Sequence, residues 1–322
     1  MAVSQKQIAE KMGVSIALVS RVLSGKAAEI GIAPDTIDRV LKAAGEMGYV
    51  PSAAALTLKG KSTRTIGVAV YDFNDPFFGA LIKQIQMQAH EHNYSLVLAG
   101  FLSRIPGEKD LLALHKHSID GLIVLGSDSE ARWLHDFHQL PVARIGHGSD
   151  TENSVRITVD EEDAARQLVE HLAVRGSKSL VCISGSMLAH RLRQIALKGA
   201  AQSAGMRFTS ILSDQKDSFT AGFMTTQNLL ETTLDVDALV CATDQIAMGS
   251  LHALADAKVD VPGDVAVTGF DDIPAASQFI PPLTTIHQPF EEMVQRAFQA
   301  VIEPSRPATI WSRGKLVARQ SA

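Results

Sequence analysis

Ile16, Ala17, Ser20 and Arg21 stand at spacings that place them on one face of a helix. An arginine fork can donate two hydrogen bonds to a guanine edge, which discriminates by about 1–3 kcal/mol. Ile16 and Ala17 could read only apolar features such as a thymine methyl. The hydroxyls of Ser15 and Ser20 suit phosphate oxygens. Together these are groups that could read duplex DNA. The surrounding segment, QKQIAEKMGVSIALVSRVLSG (5–25), supplies elements to position them. Ser4 can cap a helix from Gln5 to Met12, and Gly13 breaks it. Ser15 can cap a second helix from Ile16 to about Ser24. Ile8, Ala9, Val14, Val19, Val22 and Leu23 would face inward. A third helix, Thr36 to Met47, starts after Pro34–Asp35 and ends at Gly48. This is a helix-turn-helix layout, although a small helical bundle that binds nothing has the same pattern.

Charge separates the head from the rest. Residues 1–64 carry nine Lys or Arg against five acids, a net +4, within a chain of 322 residues whose total is −5. The remainder therefore carries −9, and a basic head on an acidic body suggests an anionic partner for the head. Apolar residues are 46% and charged residues 20%, which excludes a disordered or fibrous chain. No apolar run approaches the ~18 residues of a membrane helix, so no membrane partner is expected. MAVSQKQIAE has no secretory h-region. Cys182 and Cys241, both in apolar runs, make no disulfide framework. A cytoplasmic location is expected.

Other chemistry is hard to find. G-x-S-x-G, H-E-x-x-H and G-x-G-x-x-G are absent. His90 and His92 are two apart, on different sides of a helix, and His135 and His138 suit a solvated helix. The segment from Ala55 to Gly60–Lys61–Ser62 loosely resembles a phosphate-binding loop, but it follows a helix-like stretch and precedes a strand, the reverse of what that loop requires. No catalytic residue, metal site or cofactor is expected, and the chain reads as a non-enzyme.

From Thr65 short apolar strands alternate with amphipathic helices. The strands are TIGVAV (65–70), YSLVLAGF (94–101), DGLIVLG (120–126) and LPVARIG (140–146), then KSLVCISG (178–185), MRFTSILS (206–213), DALVCATD (237–244) and DVAVTGFDD (264–272). Nearly continuous apolar strands between helices indicate parallel sheets covered on both faces. Two sets of four predict two doubly wound subdomains dividing near 158–162. A ligand would lie in a cleft at the carboxyl ends of the strands.

The runs GVSIALVSRVLSGK and DTIDRVLKAAGEMGYVPSAAALTLKGKSTRTIGVAVYDFNDPFF, with GFDD (269–272), IPPLTTIHQPF (280–290) and KLVARQS (315–321), strongly resemble the LacI/GalR family of bacterial repressors over essentially the whole chain. The resemblance implies an all-α helix-turn-helix head and an α/β core of two doubly wound parallel-sheet subdomains, like a periplasmic binding protein. The head would be 1–49, a hinge helix and linker 50–62, and the effector-binding and dimerisation core 63–322. In that core the N-subdomain would take about 63–158 plus 287–304, and the C-subdomain about 160–284 plus 308–322. Pro51 to Leu58 would be a hinge helix paired in the minor groove, with Leu58 wedged into a central base step and Ala55 facing the groove; Leu58 could instead pack on the body. Leu56 departs from the arginine common at its position.

For the core, the resemblance implies that Phe77 and Phe78 face an effector, that Arg193 grips its hydroxyls or carboxylates, and that Asp271 accepts its hydroxyls. Thr243, with Asp244, and Gln288 would lie at the pocket rim. The plainer alternatives are packing under the first body helix for the two phenylalanines, a surface ion pair for Arg193, and a helix N-cap before Ile273 for Asp271. Gly146 stands where many members have Asp, between Arg144 and His147, and Thr243 where many have Asn. These departures suggest an anionic effector such as a sugar acid or sugar phosphate. Three extra residues lie within 25–36. The expected function is a homodimeric repressor on a pseudo-palindromic double-stranded operator, controlled by a small sugar or sugar-acid effector. A sugar-binding protein or sugar-processing enzyme with an accessory helical head is the alternative.

Overall fold

The computed structural model describes residues 3–49, 62–127, 131–149, 151, 154–232, 236–304 and 306–322. The expected hinge helix, with Ala55 and Leu58, lies outside them. The chain divides into two compact units, Met1–Thr63 and Arg64–Ala322.

The smaller unit holds α1 (Gln5–Met12), α2 (Ile16–Leu23) and α3 (Pro34–Glu46). Ser4 forms a capping box with Gln7, its hydroxyl accepting the Gln7 N–H while Gln7 Oε1 accepts the Ser4 N–H. Gly13, at φ 65°, turns the chain after α1. Ile8, Val19 and Val40 are fully buried where the three helices meet. Leu23, expected inside, is only partly buried. α3 begins at Pro34, two residues before the expected start, because proline at the first helical turn gives up no needed N–H. Between α2 and α3 lies a short 3₁₀ turn, Ala28–Ile30, which follows buried Ala27.

The larger unit contains two parallel sheets. The first has six strands: β1 (Thr65–Val70), β2 (Ser95–Gly100), β3 (Gly121–Leu125), β4 (Val142–Ile145), β5 (Ser154–Val159) and β11 (Ala308–Ser312), in the order β11-β5-β4-β3-β1-β2. The second has β6 (Ser179–Ser184), β7 (Arg207–Leu212), β8 (Ala238–Cys241) and β9 (Ala266–Thr268), ordered β7-β6-β8-β9. β10 (Thr285–His287) and β12 (Lys315–Val317) pair antiparallel. Helices α4 (Pro76–Glu91), α5 (Glu108–Lys116) and α10 (Phe290–Ile302) belong to the first lobe; α6 (Glu161–Val174), α7 (Leu188–Ser203), α8 (Ser218–Glu231) and α9 (Asp244–Asp256) belong to the second.

Two expectations are corrected here. The strands divide six and four rather than four and four, because β5 and β11 join the first sheet. Residues 308–312 therefore belong to the N-terminal lobe and not, as expected for 308–322, to the C-terminal one: Ile310 pairs with Ile157 in parallel register. Only beyond that strand does the chain return, where the Ser321 hydroxyl donates to the Val267 carbonyl. The backbone thus crosses between lobes near 160, near 285–288 and near 313. In each sheet the winding reverses between two adjacent strands, β1 and β3 in one and β6 and β8 in the other. A crevice forms at the carboxyl ends of such strands.

Candidate functional site

In the small unit, α2 presents Ile16, Ala17 and Arg21 outward, with Ile16 49% exposed. Val19 and Val22 hold the opposite face in the core. Ser15 N-caps α2 by accepting the Leu18 N–H at 3.2 Å, which leaves its own O–H free to donate outward. Ser20 is partly buried on the same side of the helix. The sequence-predicted DNA-reading residues of α2 thus share one accessible edge; Ala55 and Leu58 lie outside the described residues.

In the large unit a cavity lies between the lobes, and all six candidates, Phe77, Phe78, Arg193, Thr243, Asp271 and Gln288, line it. Asp75 caps α4 by accepting the Phe77 N–H at 2.9 Å, which fixes where the two phenylalanines emerge after β1. Phe77 and Phe78 meet edge-on at 5.1 Å, and Phe77 meets Phe290 at 5.6 Å. Both rings also pack against the core, so the packing alternative and the lining role coincide. Thr243 caps α9, its hydroxyl accepting the Ile246 N–H at 3.2 Å.

Arg193 is not on the surface. It is 4% exposed, and the structure supplies a partner that the sequence did not reveal, Glu161 at the start of α6. Arg193 Nε and Nη2 donate to the two Glu161 oxygens at 2.9 Å each, a bidentate buried pair. Nη1 donates to the Ala242 carbonyl and lies 3.9 Å from Asp271 Oδ1. The guanidinium also stacks 3.3 Å from the Phe270 ring centroid. Burial opposes charge on Glu161, but Arg193 and His147 more than offset it and hold the carboxyl below its usual range. His147 Nε2 lies 3.0 Å from Glu161 Oε1, and the ring also meets the Thr158 hydroxyl. A polar chain therefore runs from β4 and β5 of one lobe through Glu161 to α7 of the other.

Asp271 does not cap the turn that follows it; the Ile273 N–H donates instead to Asp244 at 2.8 Å. Asp271 has φ 116°, a conformation rarely adopted by residues with a Cβ. It accepts a 2.6 Å hydrogen bond from Gln288 Nε2. Burial raises its carboxyl well above the usual range, with Arg193 opposing and Asp244 and Asp75 reinforcing the rise. Asp244 is fully buried and outside the cavity wall; Thr285 Oγ1 also donates to it at 2.6 Å, and burial pushes its pKa up to about 7. It joins α9 to the crossing segment rather than forming the pocket rim. Gly146, at φ 140°, has no room for a side chain, since a Cβ there would sit 2.4 Å from the Gly126 carbonyl. Arg144 donates to the Ser149 carbonyl and His147 faces Glu161, so both bases beside Gly146 are engaged. Among the described residues no helix is long and apolar enough to cross a membrane, and no group of His, Cys, Asp and Glu could hold a metal ion.

A two-lobed cleft of this kind, joined in one chain to a helix-turn-helix unit, is the plan of a ligand-controlled DNA-binding regulator. Comparison with known proteins agrees. Residues 5–52 match the family described as bacterial regulatory proteins, lacI family, and residues 169–322 match the periplasmic binding protein-like domain. The transcriptional regulator RegA of Clostridium saccharobutylicum is 30% identical, covering 94% of this chain and 92% of its own. The ribose operon repressor of Escherichia coli is 29% identical, covering 93% and 92%. The lac repressor dimer solved with operator and the anti-inducer ONPF superposes with a TM-score of 0.83 at 26% identity, covering 100% of this chain and 99% of that one. The chain belongs to the lacI family of bacterial regulatory proteins. It is a DNA-binding regulator and not an enzyme.

Proposed function

We propose that the protein is a cytoplasmic, homodimeric repressor that binds a pseudo-palindromic operator through α2, with Ser15, Ile16, Ala17, Ser20 and Arg21 at the DNA. Ala55 and Leu58 would contact the minor groove at its centre. A neutral sugar-like ligand, held by Phe77, Phe78, Arg193, Thr243, Asp271 and Gln288, would control it. The observation that carries this reading is the buried Glu161–Arg193–Asp271 set in a cleft between lobes. It offers fixed donors and acceptors for hydroxyls, while Glu161 already balances Arg193 in the cavity wall. Arg144 and His147 are likewise engaged, which removes the support for an anionic ligand. The expected sugar acid is therefore retained only as an outcome of the test. Dimerisation is carried over from the lac repressor, to which this chain is similar and which is solved as a dimer on operator.

Selection from a random duplex library at a stated salt concentration, with and without pooled neutral sugars and sugar acids, tests the reading. A pseudo-palindrome with a flexible central step, altered in affinity by a neutral sugar, is expected. Response to acids alone would replace the ligand class. No enrichment in either pool would refute operator binding.

A further inference from the structure

The cavity that holds Arg193 adjoins a wider groove. Four side chains line both spaces and so form the neck between them: Asp75 and Phe78 from one lobe, Met187 and His190 from the other. His190, in the first turn of α7, is 3% exposed. Its Nδ1 accepts the Gly185 N–H at 3.1 Å, which places the ring proton on Nε2. That buried Nε2–H has no hydrogen-bond partner among the described residues. Burial, reinforced by the nearby Arg193 charge, pushes the imidazole pKa down to about 3, so the ring is a neutral donor at physiological pH. Buried donors are nearly always paired, so a lone one lining a cleft points to a ligand acceptor. On the other lobe Asp75 spends Oδ1 on the Phe77 N–H, which leaves Oδ2 to accept. A hydroxyl can accept from an N–H such as that of His190 and can donate to a carboxylate such as Asp75, so both groups suit a hydroxyl-bearing ligand.

We infer that Asp75 and His190 form a second polar subsite at the neck, which reads a hydroxyl-bearing unit beyond the one bound at Arg193 and Asp271, so that the ligand is longer than a single sugar ring and occupies both spaces. The inference rests on the sugar-binding reading above. It also gives the ligand a grip on each lobe, since Asp75 and His190 belong to different ones.

His190→Asn is the informative variant. The asparagine oxygen stands close to where imidazole Nδ1 stands and still accepts the Gly185 N–H, but nothing replaces Nε2–H. The full-length protein is titrated calorimetrically with glucose, galactose, cellobiose, lactose and maltose, with melting temperature recorded for each. One of the disaccharides is expected to bind at least about tenfold tighter than the monosaccharides it contains, because a site built to donate rejects a ligand without the acceptor. His190→Asn should erase that preference and leave the melting temperature of the protein alone unchanged at neutral pH; a merely structural histidine would do the opposite. If a monosaccharide binds as tightly as its disaccharide, or if His190→Asn keeps the preference, the neck subsite is overturned. If none of the five sugars shifts the melting temperature, the sugar reading itself fails and the subsite falls with it.

Discussion

Arg193 shows how a ligand-binding residue can also be a structural one. Its charge is balanced by Glu161 in a place with little water, and removing one partner of such a pair strands the other, at a cost of about 3–5 kcal/mol. Arg193→Ala should therefore lower the unfolding free energy by that amount in urea titration, and its loss of ligand response would not by itself identify a ligand contact. Asp271→Asn is cleaner, because the amide oxygen still accepts from Gln288. That variant should melt like the parent, bind operator normally and no longer respond to ligand; a normal response would remove Asp271 from the site. Two other buried groups make opposite contributions to pH dependence. Asp244 has its folded pKa raised to about 7 by burial, so the folded state holds a proton that the unfolded state releases above about 4. Its contribution to stability falls as pH rises from about 4 to 7. His190, pushed down to about 3, is neutral when folded but takes a proton when unfolded below about 6.5. Its contribution is lost as pH falls from about 6.5 to 3. The two slopes, each on the order of 1 kcal/mol per pH unit, oppose each other between about 4 and 6.5. Denaturant melts across that window should show Asp244→Asn losing more stability toward acid than the parent, and His190→Asn losing less. Parallel curves for all three proteins would contradict both assignments.

At the scale of elements, the head was the most legible part of the sequence. Ser4, Gly13, Ser15 and Pro34 are local signals whose effect is settled within a turn or two, and α1 and α2 lie where those signals place them. Ser15→Ala removes the α2 cap and should cost about 1 kcal/mol of head stability by chemical denaturation. Arg21→Ala leaves packing intact, because the side chain is exposed. It should cost about 1–3 kcal/mol of operator binding and relax the preference at one base pair, measured by competition between single-base operator variants. Leu58→Ala should weaken specific binding far more than non-specific binding, and unchanged discrimination would dismiss the wedge. In the body, continuous apolar strands such as Gly121–Leu125 were legible because both faces are buried. β5 and β11 were not: Arg156 interrupts one run, and the other is an edge strand with Trp311 61% exposed. Where β11 pairs depends on a return across the lobes that no local signal encodes. Glu161 was hidden for a similar reason. It sits in Asp160–Glu161–Glu162–Asp163, which reads as ordinary acidic enrichment of a first helical turn, and only the approach of α7 makes it the partner of Arg193. His190 gave no sequence signal either, since its importance lies in a missing hydrogen bond.

At the scale of the whole molecule, three crossings of the backbone join the two lobes of the larger unit. Three of the residues that line the cavity stand by those crossings: Glu161 follows the first, and Gln288 ends the second, where Asp271 bridges to His287. A ligand that bridges the lobes through these groups favours one lobe arrangement over another, and only that difference in affinity can bias the operator-binding state. A coupling of about 1–3 kcal/mol corresponds to about 5–150-fold in operator affinity. Linkage makes the effect reciprocal, so saturating operator must change ligand affinity by the same factor that saturating ligand changes operator affinity. Calorimetry with the protein alone and with excess operator duplex, set beside operator titrations with and without ligand at one salt concentration, should give two equal factors. The sign, release or recruitment, emerges from the same data. Gln288→Ala removes the hydrogen bond that ties the second crossing to Asp271 and should reduce both factors together. Factors of one in the unmodified protein would mean that ligand binding and operator binding are not coupled.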